Sequence, residues 1–262
     1  MLSQSKISRF TAKSAFRGEK IRMLGLGTIL TFSLLMLYPF YILSASFFPF
    51  PVTVGFLAAI CILFEAPLLL GVMKTLWQEL SSGQCEVTEI FYYFSGYRRF
   101  KQALKFVCVL FFRVAVTSAI CLAPAIVISV ITDLNVQNAI GFSLPVWLSG
   151  LQILGSLLTF VGSAVAFFIS LKFFAAPFLF ITDDEGILDG LFYKSTRLSK
   201  IGYIEFISLL ASFIGWFVLG VFIFPLPFIL PYFLSSAVSL CRFTVYQYNK
   251  KISANSFSEV QI

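Results

Sequence analysis

Six apolar stretches of membrane-crossing length constrain this chain more than any other feature. They run over about 23–47, 52–76, 103–131, 145–169, 204–224 and 228–248. A helix needs about 20 consecutive apolar residues to cross a hydrocarbon core of roughly 30 Å. Lipid offers no water to a bare peptide group, so such runs must satisfy their own backbone hydrogen bonds, and a helix does so within one segment. The pattern predicts an all-α fold, a polytopic membrane helical bundle of six transmembrane helices. Residues 1–22 are a basic N-terminal segment, 23–248 the membrane domain and 249–262 a tail. The first run is longer than a signal peptide's and lacks a small-residue cleavage site, which reads as a retained span.

Composition supports a chain whose solvent is lipid. It is 59% hydrophobic and 12% charged, whereas soluble domains carry about 45–50% and 25%. The absence of His removes the commonest general base and metal ligand. Cys61, Cys85, Cys108, Cys121 and Cys241 form no CxxC pair and read as reduced thiols.

Lys and Arg are distributed on one side only. They fall in the N-terminal segment (Lys6 to Arg22), in the loop between the second and third spans with its flanks (Lys74, Arg98, Arg99, Lys101, Lys105), in the loop after the fourth (Lys194, Arg197, Lys200) and in the tail (Lys250, Lys251). The three opposite loops hold neither residue, and Asp133 is their acid. Positive residues stay on the cytoplasmic side, so both termini are expected in the cytoplasm.

Two of the basic-side connections carry helical patterning. In 86–100 the apolar positions are Val87, Ile90, Phe91, Phe94 and Tyr97; in 186–201 they are Ile187, Leu188, Leu191, Phe192, Leu198 and Ile201. Amphipathic helices lying in the interface satisfy both, and so do connecting helices packed on the bundle. A shift of 101 residues superposes Phe91-Tyr92 on Phe192-Tyr193 and Pro124 on Pro225, while Ala66-Pro67 echoes Ala176-Pro177. With 12–22 as a degenerate first copy, the spans group as three hairpins, each introduced by an amphipathic cytoplasmic helix.

Several runs resemble a bacterial membrane-protein family. They are Pro67-Leu68-Leu69-Leu70-Gly71, the segment 83–100 with Phe91-Tyr92, Ala176-Pro177-Phe178-Leu179, Asp183-Asp184-Glu185, Ser195 within 188–200, Ser212-Phe213-Ile214-Gly215-Trp216, Leu219-Gly220 and Leu230-Pro231-Tyr232. On these the chain resembles domain-of-unknown-function family 975 over most of its length. It departs from the family in lacking a glycine-rich turn between Gly220 and Pro231. The resemblance implies a six-helix, multi-pass protein of the bacterial plasma membrane with no assigned reaction. It also implies a distant similarity to the membrane domain of some glycerophosphodiester phosphodiesterases.

Charges inside spans are the first place to seek function, because burying one in lipid costs several kcal/mol unless it is paired or hydrated. Glu65, Arg113, Lys172 and Arg242 form the candidate cluster. Counting from the span ends places Glu65 and Arg113 roughly 12–15 Å deep, a depth that permits a pair. One reading makes these charges structural, with Lys172 and Arg242 snorkelling to the interface. The other makes them a basic, cytoplasm-facing site for an anionic headgroup or solute.

The small residues Gly155, Thr159, Gly162 and Ser163 suit close helix packing, and Trp216, in mid-span, is expected between helices. Asp183-Asp184-Glu185 reads as a solvated run or the acidic start of a helix. No Walker, Gly-x-Ser-x-Gly or His-Glu-x-x-His motif occurs. The expectation is a non-enzymatic membrane component in envelope or stress homeostasis, without cofactor or metal. Its partners would be membrane lipids with anionic headgroups and a membrane protein, not nucleic acid. The alternative is a small transporter or lipid-handling protein that uses the basic intramembrane cluster.

Overall fold

The computed structural model describes residues 4–18, 20–82, 86–138, 146–182, 188–220, 222–223 and 225–259. Asp183-Asp184-Glu185, Cys85 and Ile187 lie outside them. The described residues form α1 (Gln4–Gly18), α2 (Lys20–Phe47), α3 (Phe50–Ile60), α4 (Ala66–Ser82), α5 (Tyr97–Asn138), α6 (Val146–Ser170), α7 (Ala176–Thr182), α8 (Leu188–Gly220) and α9 (Leu226–Glu259). Among them no strand occurs.

Six helical runs are long and apolar enough to cross a membrane: Ile21–Phe47, Val52–Ser81, Tyr97–Thr132, Gly150–Thr182, Gly190–Gly220 and Leu226–Lys250. The protein is an all-α polytopic bundle. Side chains such as Phe32, Phe112, Ile120 and Phe160 stand 60% exposed or more, an outer surface that suits lipid and not water.

Two spans are interrupted, each just before an Ala-Pro pair. Ahead of Ala66-Pro67 the second span widens into a π-turn, Cys61–Glu65, in which the Ala66 amide donates to the Cys61 carbonyl. Proline lacks an amide donor and its ring clashes with the carbonyl four residues back; one widened turn relieves both. Ahead of Ala176-Pro177, α6 ends at Ser170 and a 3-10 turn, Leu171–Phe173, follows.

The chain divides into two compact units. One comprises Met1–Cys108 and Ala175–Ile262. Its centre is α9, which packs against α1, α2, α4 and α8. Residues 235–241 of that helix are buried all round. Ser235, Ser236, Ala237 and Ser239 are small enough to admit neighbouring backbones on every side. Its buried Ser236 and Thr244 hydroxyls donate to the Tyr232 and Leu240 carbonyls one turn back, 2.8 and 2.9 Å away, and so are satisfied within their own helix. Gly27 of α2 lies so close to Pro227 that an added Cβ would overlap the Pro227 carbonyl oxygen. Between α8 and α9, Ile223 adopts φ 62°, a left-handed conformation costly for a β-branched residue.

The other unit is Val109–Phe174. In it Gly162 of α6 approaches α5 so that an added Cβ would meet the Cys121 carbonyl oxygen at 2.7 Å, and Gly155 faces Ile128. Thr159 and Ser163 of the same stripe are exposed. The packing face follows the glycines, where the backbone can come closest.

The two patterned connections take different forms. In 188–201 the expected face is buried: Leu191, Phe192 and Leu198 are at most 3% exposed, joined by Ser195 and Ser199. It is the first part of α8 and runs without a break into the fifth span, so it is a bundle-packed helix. Segment 86–100 does not form an amphipathic α-helix. Val87–Phe91 is a 3-10 turn and α-helix resumes at Tyr97. Three residues per turn align Ile90 with Tyr93, which are 0% and 4% exposed, whereas Phe91 and Tyr97 point outward. Trp216 also departs from expectation. It is half exposed, because Phe213 takes the position facing α9, with its ring 5.3 Å from those of Tyr232 and Phe233.

Candidate functional site

The four charged candidates occupy distinct settings. Glu65 is half-buried at the last position of the π-turn, and Ser33 Oγ of α2 lies 2.9 Å from its carboxylate. The same hydroxyl lies 3.1 Å from the Leu30 carbonyl. Its single proton is therefore shared between a helix carbonyl and the carboxylate.

Arg242 is exposed, and its Nη1 donates to the Leu80 carbonyl at 2.6 Å. That carbonyl belongs to the last turn of α4, where helix carbonyls lack intrahelical donors and the helix dipole is negative. Arg242 thus caps α4. Glu65 and Leu80 are fifteen residues apart on one helical run, about 22 Å at 1.5 Å per residue. Glu65 and Arg242 therefore do not share a site.

Arg113 lies in α5, about 24 Å from its start at Tyr97, and is half-buried. Lys172 sits in the 3-10 turn that interrupts the fourth span, its Nζ 4.9 Å from the Phe173 ring centroid. Both belong to the second unit, whereas Glu65 and Arg242 belong to the first.

Among the described residues, charge is also organised in the first unit, where α4 stops and α5 begins. Tyr92 is its hub. Lys74 Nζ stands 3.3 Å from the Tyr92 ring centroid and Arg99 Cζ 4.3 Å, both within the range of cation–π attraction. Arg99 Nη1 also donates to Ser95 Oγ at 3.0 Å, and Ser95 Oγ donates to the Tyr92 carbonyl at 2.8 Å.

The platform beneath this hub is aromatic. Tyr92 meets Tyr93 edge-on at 5.2 Å; Tyr93 stacks on Phe180, Phe180 on Phe106 at 4.3 Å, and Phe106 on Phe192. The whole segment closes onto α4 because Gly71 has no side chain: an added Cβ would overlap the Ile90 carbonyl oxygen. A second cation is held alike, with Arg197 Cζ 4.6 Å from the Tyr193 ring centroid.

Among the described residues of this unit, cavities open at two of the places where its elements meet. One, about 340 Å³ and open, is lined by Thr88, Glu89, Phe91, Tyr92, Phe94 and Ser95. The other, about 140 Å³ and apolar, lies among Trp77, Phe178, Leu179, Thr182, Cys241 and Val245.

Reasoning from spans selected charges inside the apolar runs and so passed over the Tyr92 hub, whose cations lie at the span ends. The signal available was the clustering of Tyr92 and Tyr93 between Lys74 and Arg99. Comparison with protein-family models, curated proteins and solved structures finds no match for this chain.

Proposed function

We propose that this chain is a non-enzymatic, multi-pass component of a bacterial plasma membrane. In this reading both termini are cytoplasmic, and the protein engages anionic lipid headgroups, or a membrane-protein partner, at its cytoplasmic end in envelope or stress homeostasis. The observation that carries the reading is the fixed placement of cations at one end of the spans. Lys74 and Arg99 are set over Tyr92, Arg197 over Tyr193, and Arg242 against the end of α4. Each is oriented by a ring or a helix end, and cations gathered at one end of the spans attract anionic headgroups. The restriction of loop Lys and Arg to one side supports the orientation. The resemblance to family 975 at Ser212–Trp216 and Pro231-Tyr232 supports the bacterial setting.

The test is native mass spectrometry of the full chain from mild detergent with an equimolar mixture of phosphatidylglycerol and phosphatidylcholine. Preferential retention of phosphatidylglycerol, lowered by Arg99→Gln and Arg197→Gln together, is expected. Equal retention of both lipids would defeat the reading.

A second reading, a small transporter or lipid-handling protein, draws on the π-turn at Glu65. Wide turns recur at functional positions in helices, and this one sets a carboxylate within a span beside Ser33. Solute or lipid flux in proteoliposomes that is abolished by Glu65→Gln would favour it; unchanged flux would remove Glu65 from consideration.

A further inference from the structure

The apolar cavity of about 140 Å³ lies between three helices of the first unit. Trp77 comes from α4, Phe178, Leu179 and Thr182 from α7, and Cys241 and Val245 from α9. Among the described lining residues the only hydroxyl is that of Thr182. It donates within its own helix, with the Leu179 and Phe178 carbonyls 3.0 and 3.2 Å away. The rest of the wall is mostly ring and alkyl carbon. Water needs two to four polar partners to occupy a cavity, and an apolar one of about 150 Å³ stays dry and accepts a molecule the size of benzene. The occupant that fits is hydrocarbon.

The position of the cavity says where that hydrocarbon comes from. Every lining residue belongs to a membrane-crossing run: Val52–Ser81, Gly150–Thr182 or Leu226–Lys250. Cys241 is fifteen residues beyond Leu226, the start of α9, about 22 Å at 1.5 Å per residue. Val245 is nineteen beyond it, about 28 Å. A hydrocarbon core is roughly 30 Å thick, so the cavity sits just inside its edge, on the side of the basic loops. The solvent at that level is the chain of a lipid, in the carbons nearest its headgroup. Moving such a chain from lipid to protein brings no hydrophobic gain. The gain is dispersion, because an empty cavity leaves its wall without contacts on one side.

We propose that this cavity is a binding site for one acyl chain of a membrane lipid, of which it takes up about six carbons between α4, α7 and α9. The site recognises a chain and not a headgroup. It goes beyond the reading above and does not rest on it.

The full chain is reconstituted in phosphatidylcholine vesicles that carry a trace of phosphatidylcholine with a diazirine among the first carbons of one acyl chain. Illumination turns the diazirine into a carbene that inserts where it lies, and peptide mass spectrometry locates the insertion. Phe243 and Tyr246 are exposed on α9 and should be labelled by any chain at the outer surface. Cys241 is 1% exposed and lines the cavity, so its labelling reports a chain inside. Label is expected at Cys241 as well as at Phe243. Val245→Phe and Leu179→Phe, made separately to fill the space, should each abolish labelling of Cys241 and leave that of Phe243 unchanged. Label at Phe243 with none at Cys241 in the unaltered chain overturns the proposal, and needs no variant to fold. So does labelling of Cys241 that survives both filled variants with their helix content intact. A free alkyl diazirine of the same size, added to plain vesicles, tests the other source. Labelling of Cys241 by that molecule but never by the lipid overturns the acyl-chain assignment. The reporter is a chain, so this experiment and the phosphatidylglycerol retention test can fail independently.

Discussion

Replacing Gly71 with Ala should destabilise the protein, although the same change at Gly25 should stabilise it. An added Cβ at Gly71 falls on the Ile90 carbonyl oxygen, a backbone atom that cannot rotate away. The 3-10 turn must then lift off α4. Doing so uncovers Ile90, which is fully buried, and a side chain of that size contributes about 1.5–3 kcal/mol when buried. Forced overpacking adds about 1–3 kcal/mol. Partial relaxation trades one against the other, so the expected loss is about 2–4 kcal/mol. Gly25, in α2, has nothing within 4 Å of its added Cβ, and there Ala should gain up to about 1 kcal/mol of helix propensity. The assay is unfolding of the full chain by titrating denaturing into mild detergent, followed by far-ultraviolet circular dichroism. Opposite signs for Gly71→Ala and Gly25→Ala are the prediction. If Gly71→Ala were neutral or stabilising, the docking of segment 86–96 onto α4 would be wrong.

Three other perturbations test separate parts of the structure. Ser33→Ala should cost about 1–3 kcal/mol in the unaltered chain, because it strips a donor from a half-buried carboxylate. It should cost much less in a Glu65→Leu background; additive losses in that double-mutant cycle would show the two groups to be uncoupled. Phe106→Ala removes the middle of the stack joining Phe180 to Phe192 at a fully buried position, with an expected loss of about 3–5 kcal/mol in the same unfolding assay. Ile223→Gly should stabilise by about 1 kcal/mol, since glycine takes φ 62° without the penalty that isoleucine incurs; a destabilised variant would show that turn to be unstrained.

The six spans were legible because the bilayer imposes a one-dimensional rule, about 20 apolar residues in sequence, and a one-dimensional string can display it. The two interruptions were half legible. Pro67 and Pro177 announce a missing amide donor, but whether the chain answers with a π-turn at Cys61–Glu65 or a 3-10 turn at Leu171–Phe173 depends on what packs around it. Between Gly220 and Pro231 the chain adopts a left-handed conformation at Ile223, which the residue type alone does not announce. The connection 86–96 was misjudged because its periodicity was counted at 3.6 residues, whereas Ile90 and Tyr93 face inward three apart. That difference matters for function. Counted as an α-helix, the segment would lie on a membrane surface with Tyr93 outside its apolar face. Folded as a 3-10 turn held against Gly71, it brings Tyr92 under Lys74 and Arg99 and leaves Glu89 at a cavity wall. Lys74 and Arg99 lie within Val52–Ser81 and Tyr97–Thr132, toward the ends that meet segment 86–96, where a search for charges deep in the spans does not look. Charge placed toward a span's end takes its setting from the connection that folds against it, which a hydropathy pattern does not describe. Among the described residues, the cations set over Tyr92 are organised in this way where α4 stops and α5 begins.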